Sequence, residues 1–270
     1  MRRLRDLSLP DLHVPRSDEV RGVPTGVRRS AGRTRVTRRL VLFDIDGTLL
    51  LSGGAGRRAI LAAVAEDAGI APDQVEQVRF DGKTDPQIVT ELFAAAGHPE
   101  FPGPERIARV LDRYLDHLER DLARSADLVT VMPGVEALLD SLGRDDRVVL
   151  GLLTGNVTRG AVLKLAAVKI RSDQFRVGAY GSDHHLRSEL PAIAAGRART
   201  IFGRRPVGDE IIIIGDTPAD VTCGRAVGAR SIGVATGSFS TDSLAGAGAD
   251  HVFADLSATE TVHAIILGTA

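Results

Sequence analysis

Cysteine is nearly absent from this chain: Cys223 is the only one in 270 residues. A disulfide framework and a Cys-based zinc site within one chain are therefore excluded, and a reducing, cytoplasmic setting is expected. No apolar run approaches the ~20 residues that a membrane-spanning helix needs. The N-terminus also lacks the apolar stretch of a secretory signal, so no membrane partner is expected. There is no internal repeat. Net charge is only −1, but it is unevenly distributed. Residues 1–39 hold eleven Arg against Asp6, Asp11, Asp18 and Glu19, which leaves the rest of the chain acidic. An acidic body does not suit a duplex-binding domain, so no nucleic-acid partner is expected. Residues 1–38 are aperiodic and Arg-rich with several prolines, and are expected to be a disordered extension.

Apolar residues make up 43% of the chain, enough for a sizeable core. They gather in short runs of strand length at Leu40–Ile45, Val148–Leu153, Arg176–Tyr180, Ile211–Ile214, Ser231–Ala235 and, more weakly, His251–Phe253. Continuous apolar runs point to parallel strands buried on both faces. Helical patterns at Val135–Leu142, Val157–Val168, Leu190–Phe202 and Ala219–Val227 separate most of them. The alternation predicts an α/β fold with a doubly wound, Rossmann-like parallel sheet.

The rhythm breaks once. Between Leu51 and Thr130 the pattern gives helices and no convincing strand: Arg57–Ala68, Pro86–Ala96 with Asp85 as N-cap, and a third helix. That third helix is marked by Ile107, Val110, Leu111, Tyr114, Leu115, Leu118 and Leu122 at helical spacing. Such a stripe normally means packing against another helix. The expected organisation is an α/β core over residues 39–52 and 131–270, with an inserted all-helical cap over 53–130.

Three strand ends carry chemistry. Phe43-Asp44-Ile45-Asp46-Gly47-Thr48 follows the first strand, at the carboxyl end where open α/β sheets bind ligands. Leu153-Thr154-Gly155-Asn156 leads from a strand into a helix, where hydroxyl, amide and free backbone N–H groups make a phosphate seat. Ile214-Gly215-Asp216-Thr217-Pro218-Ala219-Asp220 again ends an apolar strand in acids. Grouped carboxylates suit Mg²⁺, a hard cation that shares substrate phosphate. Each motif taken singly is also consistent with ordinary turn and capping chemistry.

Together, and in this order, the three motifs resemble those of the haloacid dehalogenase superfamily, in its phosphoglycolate-phosphatase-like branch with a helical cap. The resemblance covers about residues 40–255. It implies a Mg²⁺-dependent phosphatase acting on a small phosphate monoester through an aspartyl-phosphate. Asp44 would be the nucleophile, and Asp46 the acid and then the base. Thr154, Gly155 and Asn156 would hold the phosphoryl oxygens. Asp44, the main-chain carbonyl of Asp46, and Asp216 would ligate the metal, with Asp220 in support.

One departure stands out. The superfamily places a Lys or Arg between its second and last motifs, often in K-P-x-P, and that string is missing. Lys164 and Lys169 come too early, in or just after the helix that follows Thr154. Arg187 follows a strand, precedes a helix and lies 29 residues before Asp216, so it is expected to supply the cation. In the cap, Lys83 of Phe80-Asp81-Gly82-Lys83-Thr84-Asp85 is a candidate substrate contact, and Gly53, Gly54 and Gly56 are candidate hinge residues. The alternatives are a phosphomutase of the same superfamily, and a non-catalytic binding protein that keeps the fold. Nothing in the sequence sets the oligomeric state. Gly82-Lys83-Thr84 is not a P-loop, because Gln77 stands where the pattern needs glycine.

Overall fold

Six apolar runs become six strands of one sheet. The structure, a computed structural model, describes residues 38–70, 77–97 and 102–269. The strands are β1 (Arg39–Phe43), β4 (Val148–Thr154), β5 (Val177–Tyr180), β6 (Ile211–Gly215), β7 (Arg230–Val234) and β8 (His251–Phe253). They pair in the order β5-β4-β1-β6-β7-β8, every pair parallel. Alternate residues serve opposite faces, as the pleat requires. Leu40, Leu42, Ile211 and Ile213 pack on one side with Leu190, Ala194 and Ala195 of α6 (Leu190–Arg197). Val41, Phe43, Ile212 and Ile214 pack on the other. There they meet α4 (Val135–Gly143), α5 (Thr158–Ala167) and α10 (Thr259–Leu267). A doubly wound parallel sheet follows, as the alternation predicts.

The chain leaves β1, builds β4 and β5 on one side, then returns to lay β6, β7 and β8 on the other. Strand order therefore reverses at β1. In such sheets the crevice outside the carboxyl ends at the reversal is where ligands bind. The residues just past β1 and β6, and the last residue of β4, all face that crevice.

Between β1 and β4 lie α1 (Ala55–Ala68), α2 (Asp85–Ala95) and α3 (Pro104–Arg124). Their shared core includes Ile60, Val64, Val89, Leu92, Phe93, Val110, Tyr114 and Leu118. Each fully buried side chain of this size contributes about 1.5–3 kcal/mol. The Arg58–Asp121 and Arg106–Asp67 pairs, at 2.8 and 2.7 Å, also tie α1 to α3. They are partly exposed and contribute at most about 1 kcal/mol each, so apolar packing holds the insertion together.

Several expectations change in detail. The helical interval is bracketed by an antiparallel pair, β2 (Leu50–Leu51) and β3 (Thr130–Val131), too short to show a period in sequence. Thr84, not Asp85, is the N-cap of α2; its Oγ1 accepts from Gln87 N at 3.3 Å. The helix expected over Leu190–Phe202 breaks after Arg197, and α7 (Arg199–Phe202) follows. The one expected over Ala219–Val227 ends as α8 (Pro218–Cys223), before a tight turn at Arg225–Val227. The helix α9 (Thr241–Gly246) joins β7 to β8. The disordered extension expected over residues 1–38 lies, Arg38 excepted, outside the described residues. Arg38 donates to the Ile201 carbonyl at 2.8 Å. Among the described residues no helix is long and apolar enough to cross a membrane.

Candidate active site

After Phe43 the chain curls out of the sheet. Leu49 N and Leu50 N both donate to the Ile45 carbonyl, and Gly47 takes a left-handed φ of 84°. A Cβ at Gly47 would collide with the Asp216 carboxylate, so glycine is required there on both counts. The curl sends Asp44 and Asp46 to different partners.

Asp44 is buried and faces Arg187, whose Nη2 lies 3.1 Å from Asp44 Oδ1 and also bonds Asp220 Oδ1. The other oxygen of Asp220, Oδ2, accepts from Thr217 N and Oγ1 at 3.0 and 2.7 Å. Asp216 accepts from Thr48 Oγ1 at 3.0 Å. Asp44, Asp216 and Asp220 each bring a carboxylate oxygen within 4.8 Å of one another. Burial pushes the Asp44 carboxyl up to about 6, with Arg187 opposing and the charges of Asp220 and Asp46 adding to the rise. Burial, and then the charges of Asp220 and Asp44, push Asp216 up to about 8. Burial disfavours the Arg187 charge, but Asp220 and Asp44 outweigh it and hold the guanidinium protonated.

Asp46 faces a second cation. Lys164 Nζ lies 2.6 Å from Asp46 Oδ2 and 2.6 Å from Asn156 Oδ1. Asn156 Nδ2 donates to Asp46 Oδ2 at 2.8 Å. Burial would raise the Asp46 pKa, but the charge of Lys164 and hydrogen bonds from Lys164, Asn156 and Ser52 outweigh it and hold the carboxyl below the usual range. The Asp46 side chain therefore stands apart from the carboxylate cluster.

Thr154 ends β4, fully buried, and its Oγ1 accepts from Asn156 N at 3.3 Å and Asn156 Nδ2 at 2.8 Å. Gly155 carries no side chain because the insertion lies directly on it: a Cβ there would collide with the Lys83 carbonyl. Asp85 N donates to the Gly155 carbonyl at 2.8 Å, and Thr84 Oγ1 to the His185 carbonyl at 2.6 Å. Asp85 Oδ2 accepts from Val157 N at 2.8 Å, so it caps α5 across the seam rather than its own helix. Burial pushes its carboxyl up to about 6 against the pull of Lys164 and Val157 N. Lys83 lines the same space, with its ammonium paired to Glu91.

Asp44, Asp46, Thr154, Gly155, Asn156, Arg187, Asp216 and Lys83 all line one cavity of about 470 Å³ between the sheet and the insertion. Asp220 stands behind it, against Arg187 and Thr217. Gly53 and Gly54 lead into α1 with left-handed φ angles of 57° and 79°. Gly56 belongs to the helix itself, over Lys164.

Lys164 and Tyr114 are among the cavity residues that the sequence reading misses. Lys164 sits inside a helix, as its position predicts, but the residue is only 4% exposed and its ammonium reaches the site. The available signal is its place one helical turn after the buried Gly160 and Ala161. Tyr114 is hidden in the α3 stripe and also lines the cavity.

The sequence matches the family described as Haloacid dehalogenase-like hydrolase over residues 41–234. A phosphoglycolate phosphatase of Chromobacterium violaceum is 30% identical over 208 residues, 73% of this chain and 85% of the relative. One of Cereibacter sphaeroides is 29% identical over 191 residues, 70% of this chain and 82% of the relative. A crystal structure of β-phosphoglucomutase from Clostridium difficile has the same fold, with a TM-score of 0.65 at 15% identity, covering 86% of this chain and 97% of its own. Strand-end acids, a Thr-Gly-Asn turn and a helical insertion, set on this fold and matched over most of the chain, lead to one assignment: the chain belongs to the haloacid dehalogenase-like hydrolase family, in its phosphoglycolate-phosphatase-like branch.

Proposed function

We propose that the protein is a Mg²⁺-dependent phosphatase that hydrolyses a small phosphate monoester through an aspartyl-phosphate on Asp44. One observation carries the reading. Asp44, Asp216 and Asp220, from the ends of β1 and β6, converge within 4.8 Å beside Arg187, at a cavity that also holds Thr154 and Asn156. Residues 53–130 act as a cap over a core of 39–52 and 131–269.

The donor set fits the ion. It offers oxygen alone, which hard divalent cations prefer, and burial, with mutual repulsion added, raises Asp44 and Asp216. Asp44, Asp216 and the Asp46 carbonyl would hold the ion, with Asp220 in support because both its oxygens already carry protein donors. When bound, Mg²⁺ supplies the positive charge that lets a phosphate dianion approach a carboxylate.

The residues divide the rest. Arg187 keeps a permanent charge beside Asp44. Thr154 Oγ1 already accepts two hydrogen bonds, so its own O–H is left to donate to a phosphoryl oxygen, with Gly155 and Asn156 alongside. Lys83 approaches from the cap. An Asp44 oxygen attacks phosphorus as the bond to the ester oxygen breaks, and Asp46 gives its proton to the departing alkoxide. Lys164 and Asn156 keep Asp46 ionised before substrate arrives; the incoming dianion raises its proton affinity, and Asp46 takes up one proton from solvent before the ester bond breaks. Water then attacks phosphorus, Asp46 takes the proton, and the bond to Asp44 breaks to free phosphate.

Phosphate release from a panel of small esters tests this. The panel includes 2-phosphoglycolate, after the relatives' names, and is run with Mg²⁺ and with EDTA. Mg²⁺-dependent release that EDTA abolishes is expected. No release from any ester, or transfer to a sugar hydroxyl in place of water, contradicts it.

A further inference from the structure

The helix α5 cannot cap its own N-terminus. Its N-cap residue is Val157, whose side chain holds no acceptor. The first N–H groups of a helix need acceptors from elsewhere. Ser182 Oγ accepts from Thr158 N at 3.2 Å, and Asp85 Oδ2 accepts from Val157 N at 2.8 Å. Ser182 belongs to the same layer as α5, in the loop after β5. Asp85 belongs to the helical insertion, 72 residues away in sequence. Its own helix does not need it, because Thr84 caps α2. Asp85 is 7% exposed, and burial pushes its carboxyl up to about 6, so the group is kept there at a cost.

Asp85 makes two bonds, and they bracket one residue. Its backbone N donates to the Gly155 carbonyl at 2.8 Å, just before Asn156. Its carboxylate accepts from Val157 N, just after Asn156. The main chain on both sides of Asn156 is thus held by a single residue of the insertion. Asn156 in turn orders the site: its Nδ2 donates to Thr154 Oγ1 and to Asp46 Oδ2, and its Oδ1 accepts from Lys164. A small displacement of a group that orients others costs heavily in rate.

We propose that Asp85 is a positioning residue of the reaction: its two bonds clamp Asn156, so that Thr154, Asn156 and Asp46 take their working places only while the insertion sits on this turn. This rests on the phosphatase reading, in which those three residues meet the phosphoryl group and the leaving oxygen. Asp85 acts through Asn156 and not on the substrate.

The test compares the wild-type protein with Asp85→Ala and Asp85→Asn. All three keep the main-chain bond to Gly155. Alanine removes the acceptor for Val157 N, and asparagine keeps one without the charge. Asp85→Ala should lose at least about tenfold in kcat/KM on the best ester of the panel, and inhibition by inorganic phosphate should weaken with it. Asp85→Asn should recover part of both. The rise in melting temperature that Mg²⁺ gives should match the wild type in both variants, because Asp85 bonds none of the clustered carboxylates. By NMR, the Val157 amide should exchange faster in Asp85→Ala than in the other two. Wild-type kinetics in Asp85→Ala, an Asp85→Asn protein no better than Asp85→Ala, or a parallel loss of the Mg²⁺ response overturns the positioning role and leaves the phosphatase reading standing. A wild type that releases phosphate from no ester overturns both.

Discussion

Arg187 holds Asp44: one guanidinium nitrogen lies 3.1 Å from the Asp44 carboxylate and bonds Asp220 as well. Removing that charge leaves two buried carboxylates facing each other. Arg187→Ala should lose at least about tenfold in kcat/KM and about 3–5 kcal/mol of stability, the usual consequence of taking one partner from a buried pair. Arg187→Lys keeps the charge without the planar fork and should recover part of both. Arg199→Ala, on an exposed position of α7, is the control. Steady-state kinetics and thermal melts on the three variants check this; an Arg187→Ala protein that matches the control would remove Arg187 from the site.

The carboxylate cluster predicts an unusual pH dependence. Asp216 and Asp44, raised to about 8 and about 6, bind more protons when folded than when unfolded. Asp85, raised to about 6, acts in the same direction. The stability these groups contribute is fully present below the ordinary carboxylate range and is lost as pH rises through the folded values. The lowered carboxylates, Asp46, Asp145, Asp173, Asp183 and Glu210, change stability only at lower pH. In EDTA the melting temperature should therefore fall between about pH 5 and about pH 8. A divalent cation competes with those protons, so Mg²⁺ should stabilise the protein more at the upper end. Equal or greater Mg²⁺ stabilisation at the acidic end would contradict the assignment of these carboxylates to the metal.

The contact of the helical insertion with the Thr-Gly-Asn turn should be needed for turnover. In Gly155→Ala the new methyl meets the Lys83 carbonyl, and the loop must lift. The Asp85 N to Gly155 carbonyl bond would go with it. A loss of about 1–3 kcal/mol in stability is expected, with a fall of at least about tenfold in kcat/KM. Wild-type kinetics in a Gly155→Ala protein would show that this closure is dispensable.

Much of the site was legible because the sheet declares itself. Leu40–Phe43 and Ile211–Ile214 are apolar on both faces, so the acids that follow them had to stand at strand ends. Arg187 was legible from its place between a strand and a helix. Lys164 was not: an interior helix position does not show that a long side chain will cross a helix surface to Asp46. Asp85 was read as a cap for α2, yet it caps α5 from across the seam, a contact set by tertiary packing alone. Tyr114 was absorbed into the α3 stripe because periodicity reports which face is buried and not where a hydroxyl opens.

The central claim is that Asp44 carries the phosphoryl group, and phosphate release by Asp44→Asn tests it most directly. Asparagine keeps the size of the side chain and can still face Arg187, so melting should show an intact fold. With Mg²⁺ and the best ester of the panel, turnover should fall by at least about three orders of magnitude, because a covalent nucleophile is gone. Turnover near that of the wild type would contradict the account.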